Sequence, residues 1–165
     1  MIKVAVLTMS DKGSRGERID ESGKLICQMV KDIDGDVIVH DIIPDEQNII
    51  EDKLRYFADV MKADLIVTTG GTGVSPRDIT PEATKNVMER EIPGLAELMR
   101  AEGCKKTLRA AISRGLVGTR GSSMIVNLPG SPKGVAESLG VILTTIPHVI
   151  EKLRGDESDC GKPVK

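Results

Sequence analysis

Short β-branched runs recur along this chain, and each is followed by turn residues and then by a stretch of helical periodicity. IKVAVLTM at residues 2–9 is apolar almost throughout and stops at Ser10-Asp11, as a buried strand does. The polar loop DKGSRGERID separates it from residues 21–33, where Leu25, Ile26, Met29, Val30 and Ile33 share one helical face. Gly35 ends that helix and DVIVHDII (36–43) reads as a second strand. Pro44-Asp45 then opens a helix carrying Ile50, Leu54, Phe57 and Met61 at spacings of four, three and four. ADLIVTTGGTG follows, a buried strand emptying into a glycine-rich loop. Strand–helix alternation with short connections specifies a mostly parallel sheet with helices on both faces, a three-layer α/β/α domain of the α/β class.

The second half continues less regularly. Thr80-Pro81-Glu82 reads as a cap, a first-turn proline and a dipole-complementing acid, opening a helix to about Glu91, where Ile92-Pro93-Gly94 ends it. Residues 95–106 are helical, and TLRAAISRG (107–115) gives no clear period. LVGTRG and SSMIVNL form a short strand pair, or one strand interrupted at Gly121. Ser131-Pro132 repeats the cap-then-proline signal before a stripe of Val135, Leu139, Ile142, Ile146, Val149 and Leu153, with a kink or break expected at Pro147. A single domain over residues 1–154 and a fraying polar tail over 155–165 complete the expectation.

Composition removes whole classes of chemistry. Lys and Arg number 23 against 25 Asp and Glu, a formal charge of −2 that offers no bulk attraction to nucleic acid or anionic membrane. With one Tyr, one Phe and no Trp, the core is aliphatic and there is no platform for stacking bases. The two histidines and three scattered cysteines lack metal-ligand spacing, and the cysteine pattern suits a reducing compartment. His40 reads as a packed or surface residue, Cys27 as core and Cys160 as a bystander in the tail. No leader and no run long enough to span a membrane is evident, so a cytoplasmic location is expected.

In an open α/β sheet the ligand lies beyond the carboxyl ends of the strands. Segments 8–16, 43–47, 68–81 and 127–134 meet there. The loop Gly70-Gly71-Thr72-Gly73-Val74-Ser75 lacks the Lys-Ser/Thr ending of a P-loop, and Pro76 occupies the third glycine of a dinucleotide fingerprint. Glycines there serve turn geometry or open a phosphate cradle, and the hydroxyls of Thr68, Thr69 and Thr72 favour the cradle. Asp78, beside Arg77, is half of a surface ion pair, an Asx-turn before the helix, or a carboxylate for a phosphate-bound magnesium. Asp45 reads first as a helix cap, a role compatible with a second one at the site. Residues 113–134 gather Arg114, Arg120 and Lys133 with Ser113, Ser122, Ser123 and Ser131, which suits an anionic partner, although arginines in loops also occur simply as solvated charges.

Together, TTGGTGVSPRDITPEA (68–83), IPDEQ (43–47) and NLPGSPKG (127–134) closely resemble the molybdenum-cofactor biosynthesis family, over about residues 2–154. The resemblance implies a trimeric or hexameric three-layer domain that moves AMP from ATP to molybdopterin, with a molybdate-insertion protein as a further partner. It assigns activity to the acids at Asp45 and Asp78, which would hold Mg2+, and pterin binding to Ser113. The division that follows puts the nucleotide on Gly70, Gly71, Thr72, Gly73 and Ser75. The pterin falls to Ser113, Arg114, Asn127, Pro129, Gly130, Ser131 and Lys133. Pterin-binding relatives without transfer activity, and a nucleotide pyrophosphatase family that shares the domain and generally adds a second one, are the alternatives.

Overall fold

The computed structural model describes residues 1–157. Four strands, β1 (Ile2–Met9), β2 (Gly35–Ile43), β3 (Leu65–Thr69) and β6 (Ser123–Leu128), run parallel. Two shorter ones, β4 (Arg90–Glu91) and β5 (Val117–Arg120), add an antiparallel edge, and the order across the sheet is β2-β1-β3-β6-β5-β4. The mostly parallel three-layer fold is thus as expected, and the 116–128 region resolves into a strand pair turned at Gly121, whose φ is +52°.

Period-two alternation divides the interior into two cores. Val4, Val6, Leu65, Val67, Met124 and Val126 face α2 (Glu21–Met29), α5 (Pro93–Cys104), α6 (Pro132–Ile142) and α7 (Ile146–Leu153). Ala5, Leu7, Ile66 and Ile125 face α3 (Gln47–Arg55) and α4 (Thr80–Val87), where Phe57 is the one large ring in an otherwise aliphatic packing. The central strands are buried on both faces, which is why their sequences are continuous rather than alternating. Short α1 (Asp11–Ser14) follows β1 directly.

Several local readings are corrected. α3 begins at Gln47, with Glu46 in the cap position and no side-chain cap, so Asp45 does not cap it. Thr80 is already inside α4 and its hydroxyl donates to the Gly70 carbonyl at 3.0 Å rather than capping. α4 stops at Val87 because the next residues pair as an edge strand on β5. Residues 108–112 form a 3-10 turn, and Tyr56–Val60 a π turn after α3. The break at Pro147 is realised as a 3-10 turn at Leu143–Thr145 before α7, and Ser131 caps α6 through the Gly134 N–H. Cys27 and Cys104 are free thiols. Most of the polar tail, Cys160 included, lies outside the described residues.

Candidate active site

The loops leaving β1, β2, β3 and β6 meet at the carboxyl edge of the sheet around two cavities. The first, of about 370 Å³, is lined by residues including Ser10, Asp11, Asp45, Gly70, Gly71 and Asp78. The second, of about 420 Å³, is lined by residues including Thr72, Gly73, Arg109, Ser113, Pro129 and Lys133. Gly130 and Ser131 line both, and the glycine loop divides its residues between them.

The loop's shape follows from its glycines. Gly70 and Gly71 have φ of +96° and +66°, a region closed to most side chains. A Cβ on Gly70 would lie 2.4 Å from the Met9 carbonyl oxygen, and one on Gly71 would lie 2.4 Å from Thr80 Oγ1 and 3.2 Å from Asp45 Oδ1. Carbonyls of this loop are taken by the protein: Gly70 by the Thr80 hydroxyl, Gly71 by the Thr80 N–H, Thr72 by the Arg114 N–H and Gly73 by Arg114 Nε. Its donors are not. Among the described residues the N–H groups of Gly71, Thr72 and Gly73 reach no acceptor, which leaves a row of amides for an anion.

Asp45 and Asp78 each commit one oxygen to a backbone amide. Asp45 Oδ2 accepts from the Asp11 N–H at 3.1 Å, and Asp78 Oδ2 from the Ser75 N–H at 2.9 Å. Their Oδ1 atoms accept no hydrogen bond among the described residues. Burial raises the Asp45 carboxyl above its ordinary range, with the Asp11 N–H opposing the shift. A nearby cation would relieve that cost. No cluster of three or more His, Cys, Asp or Glu among the described residues is arranged to hold a metal alone. The two spare hard oxygens fit a magnesium whose remaining ligands are substrate phosphates and water.

Other expected site residues divide into cavity-lining and bracing groups. Ser113 and Lys133 line the second cavity, and Pro129 lines it while its carbonyl accepts from Thr69 Oγ1 at 2.7 Å. Asn127 is buried: its amide donates to Thr68 and Thr84 at 3.0 and 2.9 Å and accepts from the Leu116 N–H, so it braces the second cavity from behind. Arg114 lines neither cavity. Its guanidinium donates to the carbonyls of Gly73 and Asp78 at 2.7 Å and pairs with Glu82, which fixes the glycine loop. Ser75 lies outside both cavities as well, its amide spent on Asp78.

Sequence reasoning passed over other lining residues. Lys12 and Arg18 line the first cavity and Arg109 the second, and none of these side chains has an ion-pair partner among the described residues. Nothing in their spacing marked them. Asp20, at the cap of α2, forms part of the first cavity wall. Its carboxylate accepts from Thr8 Oγ1 at 2.6 Å and from the Gly23 N–H at 2.8 Å, and it pairs with His40 Nε2 at 2.8 Å. Burial pushes this carboxyl upward, but the three bonds outweigh it and hold it below its ordinary value. Its stabilisation is therefore complete above the usual carboxylate range and is lost as pH falls through the depressed value. Asp20→Ala is expected to cost about 2–3 kcal/mol at pH 7, from the lost cap and the stranded Thr8 and His40 groups. Denaturant melts at pH 7 and pH 3 should show that gap narrowing in acid.

A 40% identical relative, the molybdopterin adenylyltransferase of Helicobacter pylori strain J99, aligns over 94% of this chain and 89% of its own length. The molybdenum cofactor synthesis protein cinnamon of Drosophila melanogaster is also 40% identical, and there the match takes 95% of this chain but 26% of that protein. Among solved structures, the molybdopterin biosynthesis enzyme MoaB of Thermus thermophilus superposes with a TM-score of 0.89 at 49% identity, over 94% of this chain and 98% of that one. The model of the probable molybdopterin-binding domain matches residues 5–148, from β1 through both cavities to α7, and the chain belongs to that molybdenum-cofactor biosynthesis family.

Proposed function

We propose that this protein is a Mg2+-dependent molybdopterin adenylyltransferase, which passes AMP from ATP to molybdopterin and releases pyrophosphate. The observation that carries the reading is the pair of cavities at one sheet edge, parted by the 70–73 and 130–131 backbone. Group transfer between two molecules requires that they be held side by side, and that proximity supplies much of the rate. In this reading the ATP phosphates occupy the first cavity, against the Gly71 amide, Lys12 and Arg18. The pterin occupies the second, with Ser113, Lys133 and Arg109 on its terminal phosphate. An oxygen of that phosphate attacks the α-phosphorus of ATP. The bond from α-phosphorus to the bridging oxygen breaks, and its electron pair leaves with pyrophosphate.

Asp45 and Asp78 would hold the magnesium through their Oδ1 atoms. Bound there, it would neutralise phosphate charge and draw electron density from the reacting phosphorus. The protein's remaining task is positional: backbone amides orient the phosphates, and Arg114 keeps their loop in shape. Self-association into a trimer or hexamer belongs to the same reading.

The test is incubation with ATP, Mg2+ and molybdopterin. Pyrophosphate release that depends on molybdopterin is the expected result. Tight pterin binding without release would point instead to a binding protein, and hydrolysis of ATP without pterin to a pyrophosphatase.

A further inference from the structure

Asp11 and Asp45 exchange bonds across the loops that follow β1 and β2. The Asp11 N–H donates to Asp45 Oδ2 at 3.1 Å, and the Asp45 N–H donates to Asp11 Oδ1 at 3.0 Å. Arg77 closes on the same group from the loop after β3, with Nε 3.1 Å from Asp11 Oδ2 and Nη2 2.9 Å from Asp11 Oδ1. A further bond from Nη2 reaches Glu46 Oε1 at 3.0 Å. Asp78 is the next residue in the chain. One guanidinium thereby ties together three loops, two of which carry the acids proposed to act.

Local structure does not account for this arrangement. Ser10 already caps α1 through the Gly13 N–H at 2.9 Å, so Asp11 is not needed there. Asp45 does not cap α3, and its carboxylate receives no hydrogen bond among the described residues except the one from Asp11. Stability does not account for it either. The Arg77 and Asp11 side chains are 53% and 31% exposed, and ion pairs so exposed add little to stability. A forked, two-oxygen contact fixes orientation more than it adds energy.

We propose that Asp11 and Arg77 are positioning residues that hold Asp45 and Asp78 in register across the mouth of the first cavity. The assignment rests on the adenylyl-transfer reading. A small misplacement of a reacting group costs up to about a hundredfold in rate, so a clamp worth little in stability can be worth much in turnover.

The experiment compares the full chain with Arg77→Ala, Arg77→Lys, Asp11→Asn and the Asp11→Asn/Arg77→Ala pair. Arg77→Ala should lower kcat about ten- to a hundredfold, with KM for ATP within about threefold and a melting midpoint within about 2 °C. Lysine keeps the charge without the fork and should restore part of kcat. The double variant should be no slower than the worse single one, since both changes open one clamp. A kcat within twofold of the parent, or single losses that multiply, would overturn the proposal. Amide exchange gives a reading independent of turnover: the Asp45 N–H should be protected in the parent and exchange faster in Arg77→Ala. Should the parent release no pyrophosphate, the adenylyl-transfer reading fails by itself. Unchanged exchange at Asp45 would then overturn the clamp.

Discussion

Asp78→Asn is expected to cut adenylyl transfer by about 10²–10³-fold while leaving the fold intact. The asparagine oxygen can still accept the Ser75 N–H that Asp78 Oδ2 now accepts, so the turn between Ser75 and Asp78 survives. The Asp78 carbonyl held by Arg114 belongs to the backbone and is unaffected. What disappears is the negative charge of a carboxylate that lines the first cavity. Initial rates of pyrophosphate release, set beside a thermal melt, separate the two effects. Turnover within threefold of the parent would remove Asp78 from the reaction, and a large loss of stability would recast it as a loop brace.

Gly70→Ala is expected to act through the fold. Its φ of +96° is strained for alanine, and the new methyl would lie 2.4 Å from a carbonyl oxygen of β1, which cannot rotate away. A positive-φ penalty and a backbone clash together should cost about 3–5 kcal/mol, a fall in melting midpoint of roughly 6–20 °C for a domain of this size. Gly94→Ala is the matched control, because its Cβ would meet nothing within 4 Å. A Gly70→Ala melt within 2 °C of the parent would show that the loop can relax.

The layers of the fold were legible because hydrophobic periodicity is a local signal. IKVAVLTM and LIVTT announce strands buried on both faces, and each became one. Ser131-Pro132 announced a capped helix for the same reason, since its partner is three residues away. The site was legible as a set of loops but not as a set of contacts. Asp11 stands 34 residues from Asp45 and 66 from Arg77, and no spacing rule joins residues that meet only because parallel strands end together. Asp45 illustrates the cost of local reasoning: Pro44-Asp45-Glu46-Gln47 has the composition of a helix start, yet the carboxylate turns to the neighbouring loop. Arg114 misled in the opposite sense. A basic residue beside serines suggests an anion, whereas here it is held by carbonyls of the glycine loop.

Gly70 and Gly130 meet where β3 and β6 end, close enough that a Cβ on Gly130 would stand 3.3 Å from the Gly70 Cα. The consequence concerns how such a protein can diverge. Where Gly70 and Gly130 touch there is no side chain to lengthen, shorten or recharge, so substitution at that contact cannot retune the seam without straining it. Variation in what the protein accepts has to come from the rims, at positions such as Arg18 and Arg109, where a side chain can change without displacing the backbone. The seam would then stay fixed through long evolutionary drift while the outer edges of the same two hollows changed freely.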